Sequence, residues 1–112
     1  MFFMKPIPIN LRNELANDLF YKQCCIPEDG LCEGRVEWHH ALIFAGSQVN
    51  EKFCILPLCK FHHRNINTRM IKEQVNWLML NRASDRELEL YSRAVDYKRE
   101  KSRLNELYGE RV

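Results

Sequence analysis

All 4 histidines of this chain fall in two pairs, His39-His40 and His62-His63. The first pair follows Glu37-Trp38. The second closes the run Pro57-Leu58-Cys59-Lys60-Phe61-His62-His63. Cys24, Cys25 and Cys32 stand upstream of the first pair, and Cys54 and Cys59 stand before the second. Thiolate and imidazole are the usual ligands of tetrahedral zinc, and a structural site takes about four of them. Cys59-x-x-His62 opens a predicted helix, where such spacing puts both donors on one face. The other two donors are Cys32 and one of Cys24 or Cys25. Neighbours on an extended segment point to opposite sides, so only one of that pair binds. Cys24 is preferred and Cys25 is its alternative. Cys54, inside Phe53-Cys54-Ile55-Leu56, reads as an ordinary buried thiol.

His39, His40 and His63 are then left for other chemistry. His63 is turned by about 100° around the helix from His62, so it points away from the zinc set. Strand alternation separates His39 from His40, so one can hold a second metal while its neighbour stays free as a base. A neutral histidine that takes a proton from water, beside a divalent ion held by imidazoles, is the equipment of one-metal phosphodiester hydrolysis. Arg35, Lys60, Arg64 and Arg69 flank the proposed site and could contact phosphates. For each taken singly, a solvated charged face is the competing reading.

Positioning these groups requires a strand, a second strand and a helix. Met1 to Ile9, with Pro6 and Pro8, reads as an extended arm. Asn10 is expected to cap a helix carrying Leu11, Leu15, Leu19 and Phe20 and ending near Tyr21 or Lys22. Pro27-Glu28-Asp29-Gly30 signals a turn within a loop from Gln23 to Gly34. Residues 35–42 form a predicted strand with Val36, Trp38 and His40 on one face and Glu37 and His39 on the other. A loop with Gly46 as hinge leads to a second strand, Phe53 to Leu56, ended by Pro57. A helix is expected from Cys59. Ile71, Val75, Leu78 and Met79 mark a further helix ending near Arg82. Ser84-Asp85-Arg86-Glu87 is a capping box that starts a last helix, running through Leu88, Tyr91, Val95, Leu104 and Leu107 to Gly109.

With 112 residues the chain suits a single domain, 1–112, and its core is small enough for a structural metal to matter. A net charge of +2 decides nothing about partners. The odd cysteine count, and an opening without a charged n-region, favour a reducing cytoplasm. No stretch is apolar for long enough to cross a bilayer, so no membrane partner is expected.

The run Glu37-Trp38-His39-His40, then Asn50-Glu51, then Leu56 to His63 resembles the HNH endonucleases of the ββα-metal, or His-Me finger, superfamily. It is most similar to their small zinc-containing phage and prophage members. The resemblance covers about 23–67, with 68–109 as a helical extension. It implies a zinc-stapled ββα core, to which the apolar spacing adds one N-terminal and two C-terminal helices, an α+β fold. It implies His40 as general base, with His39 and His63 holding Mg²⁺ or another divalent ion. Asn67 stands where some members place a further ligand. It implies DNA as substrate and a bacterial host cytoplasm as location. The family's central Asn falls at Cys54 here, and Asn50 can take over the bracing of the loop. His62 replaces a second Cys, an exchange that zinc accepts.

Two rivals follow from the same residues. One is a zinc-stabilised nucleic-acid-binding module without turnover, motivated by Cys54. The other is an interaction protein that dimerises through Leu88, Tyr91, Val95, Leu104 and Leu107. Monomer and homodimer both stay open.

Overall fold

The computed structural model describes residues 6–27 and 30–109. The start of the expected arm and the middle of the Pro27–Gly30 turn lie outside the described residues. Pro8 (φ −56°) leads into α1, Ile9–Ala16, without a side-chain cap. Asn10 therefore sits inside the first turn instead of capping it. The helix stops earlier than expected because Asp18 turns back on its own backbone, its carboxylate accepting from the Phe20 amide at 2.9 Å. A single 3-10 turn, Leu19–Lys22, follows. It leaves Leu19 exposed and buries Tyr21. The Tyr21 hydroxyl lies 2.8 Å from the Ile55 carbonyl and 2.9 Å from that of Lys52.

The central pair of strands is β1, Val36–His40, and β4, Ile55–Cys59, antiparallel with Val36 opposite Cys59 and His40 opposite Ile55. Between them Ile43–Phe44 (β2) and Ser47–Gln48 (β3) form a small hairpin. Ala45 (φ 52°) and Gly46 (φ 80°) make its turn. Positive φ at both central residues follows the right-handed twist of the strands, so the expected loop is a hairpin with Gly46 at its tip. Lys52–Cys54 make one 3-10 turn before β4. Pro57 does not end the strand. It pairs with Trp38, as a proline can in a two-stranded sheet with open edges, and its carbonyl accepts from the Cys25 amide at 2.9 Å. That bond fastens the 23–34 loop to β4.

Four helices follow among the described residues: α2 (Lys60–Arg64), α3 (Arg69–Arg82), α4 (Asp85–Tyr91) and α5 (Tyr97–Tyr108). The Ser84–Glu87 capping box is formed. The single last helix that was expected is broken in two, because two polar side chains take over its backbone. Ser92 Oγ donates to the Leu88 carbonyl at 2.6 Å and accepts from the Tyr97 amide at 3.1 Å. Asp96 caps α5 through the Arg99 amide. Val95 falls in the connection and is exposed, as is Leu107, whereas Leu88 and Leu104 are buried. The apolar seam expected along one helix is therefore split, and half of it belongs to the core. The main core joins Leu56 and Leu58 of β4 to Val75, Met79 and Leu80 of α3 and to Leu88 and Leu104. A smaller cluster of Leu15, Tyr21 and Ile55 packs under Trp38. The fold is α+β. No helix among the described residues is long and apolar enough to cross a membrane.

Candidate metal centre and histidine cleft

Cys24, Cys32, Cys59 and His62 bring their donor atoms within 4.8 Å of one another. His62 Nδ1 lies 3.1 Å from Cys59 Sγ, 3.5 Å from Cys24 Sγ and 3.7 Å from Cys32 Sγ. Among the described residues this is the one group of three or more such donors so close together. Cys24, Cys59 and His62 are buried, and Cys32 is exposed. Three sulfurs around one imidazole nitrogen form a donor set that could hold a metal ion such as zinc. Cys25 lies outside the cluster, since its amide is tied to Pro57 and its neighbour's side chain turns to the donors.

Local structure prepares one thiol for ligation. Cys59 is the N-cap of α2, and its sulfur faces the amides of His62 and Glu33, each at 3.5 Å. Burial pushes this thiol up, but the two amides and His62 outweigh it and bring it down to about 6. The opposite holds at Cys32. Loss of solvent around its sulfur, which faces the cluster although the residue is exposed, and the adjoining Cys24 and Cys59 push it up to about 12. A metal reverses such a penalty by favouring the thiolate directly. Gly34 (φ 80°) lets the loop press on α2: a Cβ there would stand 2.8 Å from Lys60 Cβ.

Two of the remaining histidines, His39 and His63, meet where β1 and α2 pack together. The rings of His39 and His63 meet edge to face, centroids 5.2 Å apart. Glu37, on the same face of β1 as His39, accepts from His63 Nδ1 at 2.9 Å. The His63 hydrogen bond holds the Glu37 carboxyl below its ordinary value, so the carboxylate can only accept. This leaves His63 Nε2 as the free ring nitrogen, the arrangement in which a carboxylate orients a ligating histidine. Burial pushes the His39 imidazole down to about 4, with His63 and His40 adding to the effect. A neutral imidazole is the form that binds a metal.

His40 is held differently. Its Nε2 lies 2.8 Å from Asn50 Oδ1. The Asn50 amide orientation is settled by its other end, because Nδ2 donates to the Pro6 carbonyl at 3.1 Å. His40 therefore donates through Nε2, and Nδ1 remains able to accept a proton. Cys54 braces the same loop: its thiol is 3.2 Å from both the Val49 and Glu51 carbonyls. Cys54 ties the loop from within, while Asn50 joins it to His40 and to Pro6.

His39 and His40 line a cleft of about 290 Å³ together with Ile66, Asn67, Lys72 and Asn76. Asn67 reaches it from the turn after α2 and not from the helix, which ends at Arg64. None of the four cations singled out in the sequence lines this cleft. Arg35 is exposed beside Glu37 at 3.8 Å, and Lys60 and Arg64 are exposed on α2. Arg69 lines a separate cleft with Glu73 and Arg103. The cation at the histidines is Lys72, which the sequence reading missed. Strand alternation carried the signal for Glu37, two residues before His39. Nothing local marked Lys72.

No protein-family model matches the chain, and no curated protein or solved structure matches it. Fold and site define an α+β protein with a Cys₃His cluster able to hold a metal ion such as zinc.

Proposed function

We propose that this chain is a metal-dependent endonuclease of the HNH type that hydrolyses DNA phosphodiester bonds, in a phage or prophage setting within a bacterial cytoplasm. Cys24, Cys32, Cys59 and His62 hold structural zinc and staple the 23–34 loop to β4 and α2. The observation that carries the reading is the division of labour among the other three histidines. His39 and His63 meet across β1 and α2, while His40 keeps one ring nitrogen free by donating through the other. Two imidazoles with open positions suit several divalent ions, with water and phosphate oxygens completing the shell. An ion bound there, Mg²⁺ or another, supplies positive charge to the phosphate and the leaving oxygen.

The chain's own residues do the rest. His40 Nδ1 takes the proton of the attacking water. Asn50 holds the His40 ring in the competent tautomer, and Pro6 holds Asn50. Glu37 fixes His63 through Nδ1 and so aims Nε2. Asn67 is a further donor at the mouth of the cleft. Lys60 and Arg64 meet the phosphates outside it.

The test is nicking of supercoiled plasmid in Mg²⁺, Mn²⁺ or EDTA by the parent chain and by His40→Ala. Metal-dependent nicking that falls by about 10²–10⁴ in the variant is the expected result. Bound zinc without nicking in any metal would replace the proposal with a non-catalytic nucleic-acid-binding module.

A further inference from the structure

The histidine cleft does not end at Asn76. A second cleft of about 410 Å³ shares Ala41, Ile43, Lys72 and Asn76 with it, so the two form one groove. Its far end is lined by Val95 and Tyr97, next to the shared Ile43. Ile43 and Val95 are exposed. Lys72 and Asn76 stand four apart on α3, on adjacent turns of one face, and mark the middle. Lys72 is exposed and makes no ion pair among the described residues. The carboxylate at the far end, Glu100, is already forked by Arg103 at 2.6 and 3.2 Å. The groove thus runs from histidines through an uncompensated cation to an apolar and aromatic end.

We propose that this groove binds an unpaired nucleotide next to the scissile phosphate, with Lys72 on the phosphate and the base against Tyr97, Ile43 and Val95. This rests on the nuclease reading and narrows it to substrates with a single-stranded segment. Bases in a duplex are covered on both faces by their neighbours, whereas an unpaired base has a free face to lay on an aromatic ring. Each part of the groove has roughly the size of a small-molecule site, too small for a duplex to enter. The groove reads base faces and phosphate, so either sugar fits it.

The experiment uses the zinc-loaded His40→Ala chain, without added Mg²⁺ or Mn²⁺, and fluorescence anisotropy with labelled oligothymidylate, oligouridylate and a duplex of equal length. Oligothymidylate should bind at least about tenfold more tightly than duplex. Tyr97→Leu should weaken it by about 5- to 150-fold, and Tyr97→Phe should restore it. Lys72→Gln should reduce the slope of log affinity against log salt by about 0.7. Oligouridylate binding equal to oligothymidylate assigns the groove to strands of either sugar, and weaker binding that oligodeoxyuridylate does not share assigns it to DNA. Duplex binding as tight as single strand would overturn the proposal. So would an unchanged salt slope in Lys72→Gln. That slope stands as a test even where Tyr97→Leu fails to fold. Nicking by the parent with neutral groove variants sinks the groove alone. Groove-dependent binding without any cleavage sinks the nuclease reading alone.

Discussion

Cys32→Ser separates a metal centre from a cluster of plain thiols. Cys32 is an exposed residue whose sulfur sits at the rim of the cluster, so exchanging that sulfur for oxygen removes little packing. Without metal, such a surface change costs within about 0.5 kcal/mol. With metal, one of four ligands is lost, and the crosslink between chain segments weakens with it. Cys24 and His62 are 38 residues apart. The chain-entropy relation for closing a loop of that length gives about 4 kcal/mol. A domain of this length is expected to hold about 6–17 kcal/mol in total, so the crosslink is a large share. Among its described residues the 23–34 loop has no strand or α-helix of its own, and it depends on the crosslink most. Thermal unfolding followed by circular dichroism should fall by roughly 15 °C or more in Cys32→Ser. Adding a strong chelator to the parent should reproduce that fall. Bound zinc, counted by mass spectrometry, should drop from about one per chain. Cys25→Ser, outside the cluster, should keep its zinc. A midpoint for Cys32→Ser within about 2 °C of the parent, insensitive to chelator, would refute the reasoning.

Two further outcomes follow from packing. Leu104→Ala empties a fully buried position between α5 and the core and should cost about 2–5 kcal/mol in urea unfolding, with the metal retained. Cys54→Ala removes the thiol that spans the Val49 and Glu51 carbonyls; it should cost about 1–3 kcal/mol and slow nicking more than it lowers zinc content, because Asn50 lies in that loop. Equal loss of zinc and nicking in Cys54→Ala would place its effect on the whole fold instead of on the His40 loop.

Much of the site is local and therefore legible in the residue order. Cys59 and His62 share a helix face through their spacing alone. Alternation along β1 puts Glu37 and His39 together and His40 opposite, and each face meets the partner its chemistry needs: His63 on one, Asn50 on the other. The Ser84–Glu87 box is a contact over three residues and forms as expected. The expected helix ends failed where a polar side chain competed for the backbone, at Asp18 and at Ser92–Asp96. Propensity and apolar spacing do not report that competition.

The choices left to the tertiary structure all involve groups distant in the chain. Adjacent cysteines are equivalent by type, and Cys24 is selected only because the Cys25 amide binds the carbonyl of Pro57, on β4. Asn50 orients His40 because Pro6, 44 residues away, fixes its amide. Lys72 and Asn76 reach the histidines because α3 packs against β4, and Tyr97 joins them because α5 returns along α3. The sequence by itself determines which side chains can bind metal or move a proton, since that depends on type and short-range periodicity. Which of them share a cleft is decided by burial of Leu56, Leu58, Val75, Leu88 and Leu104 in one core, because only that non-local packing brings separate elements to the same place.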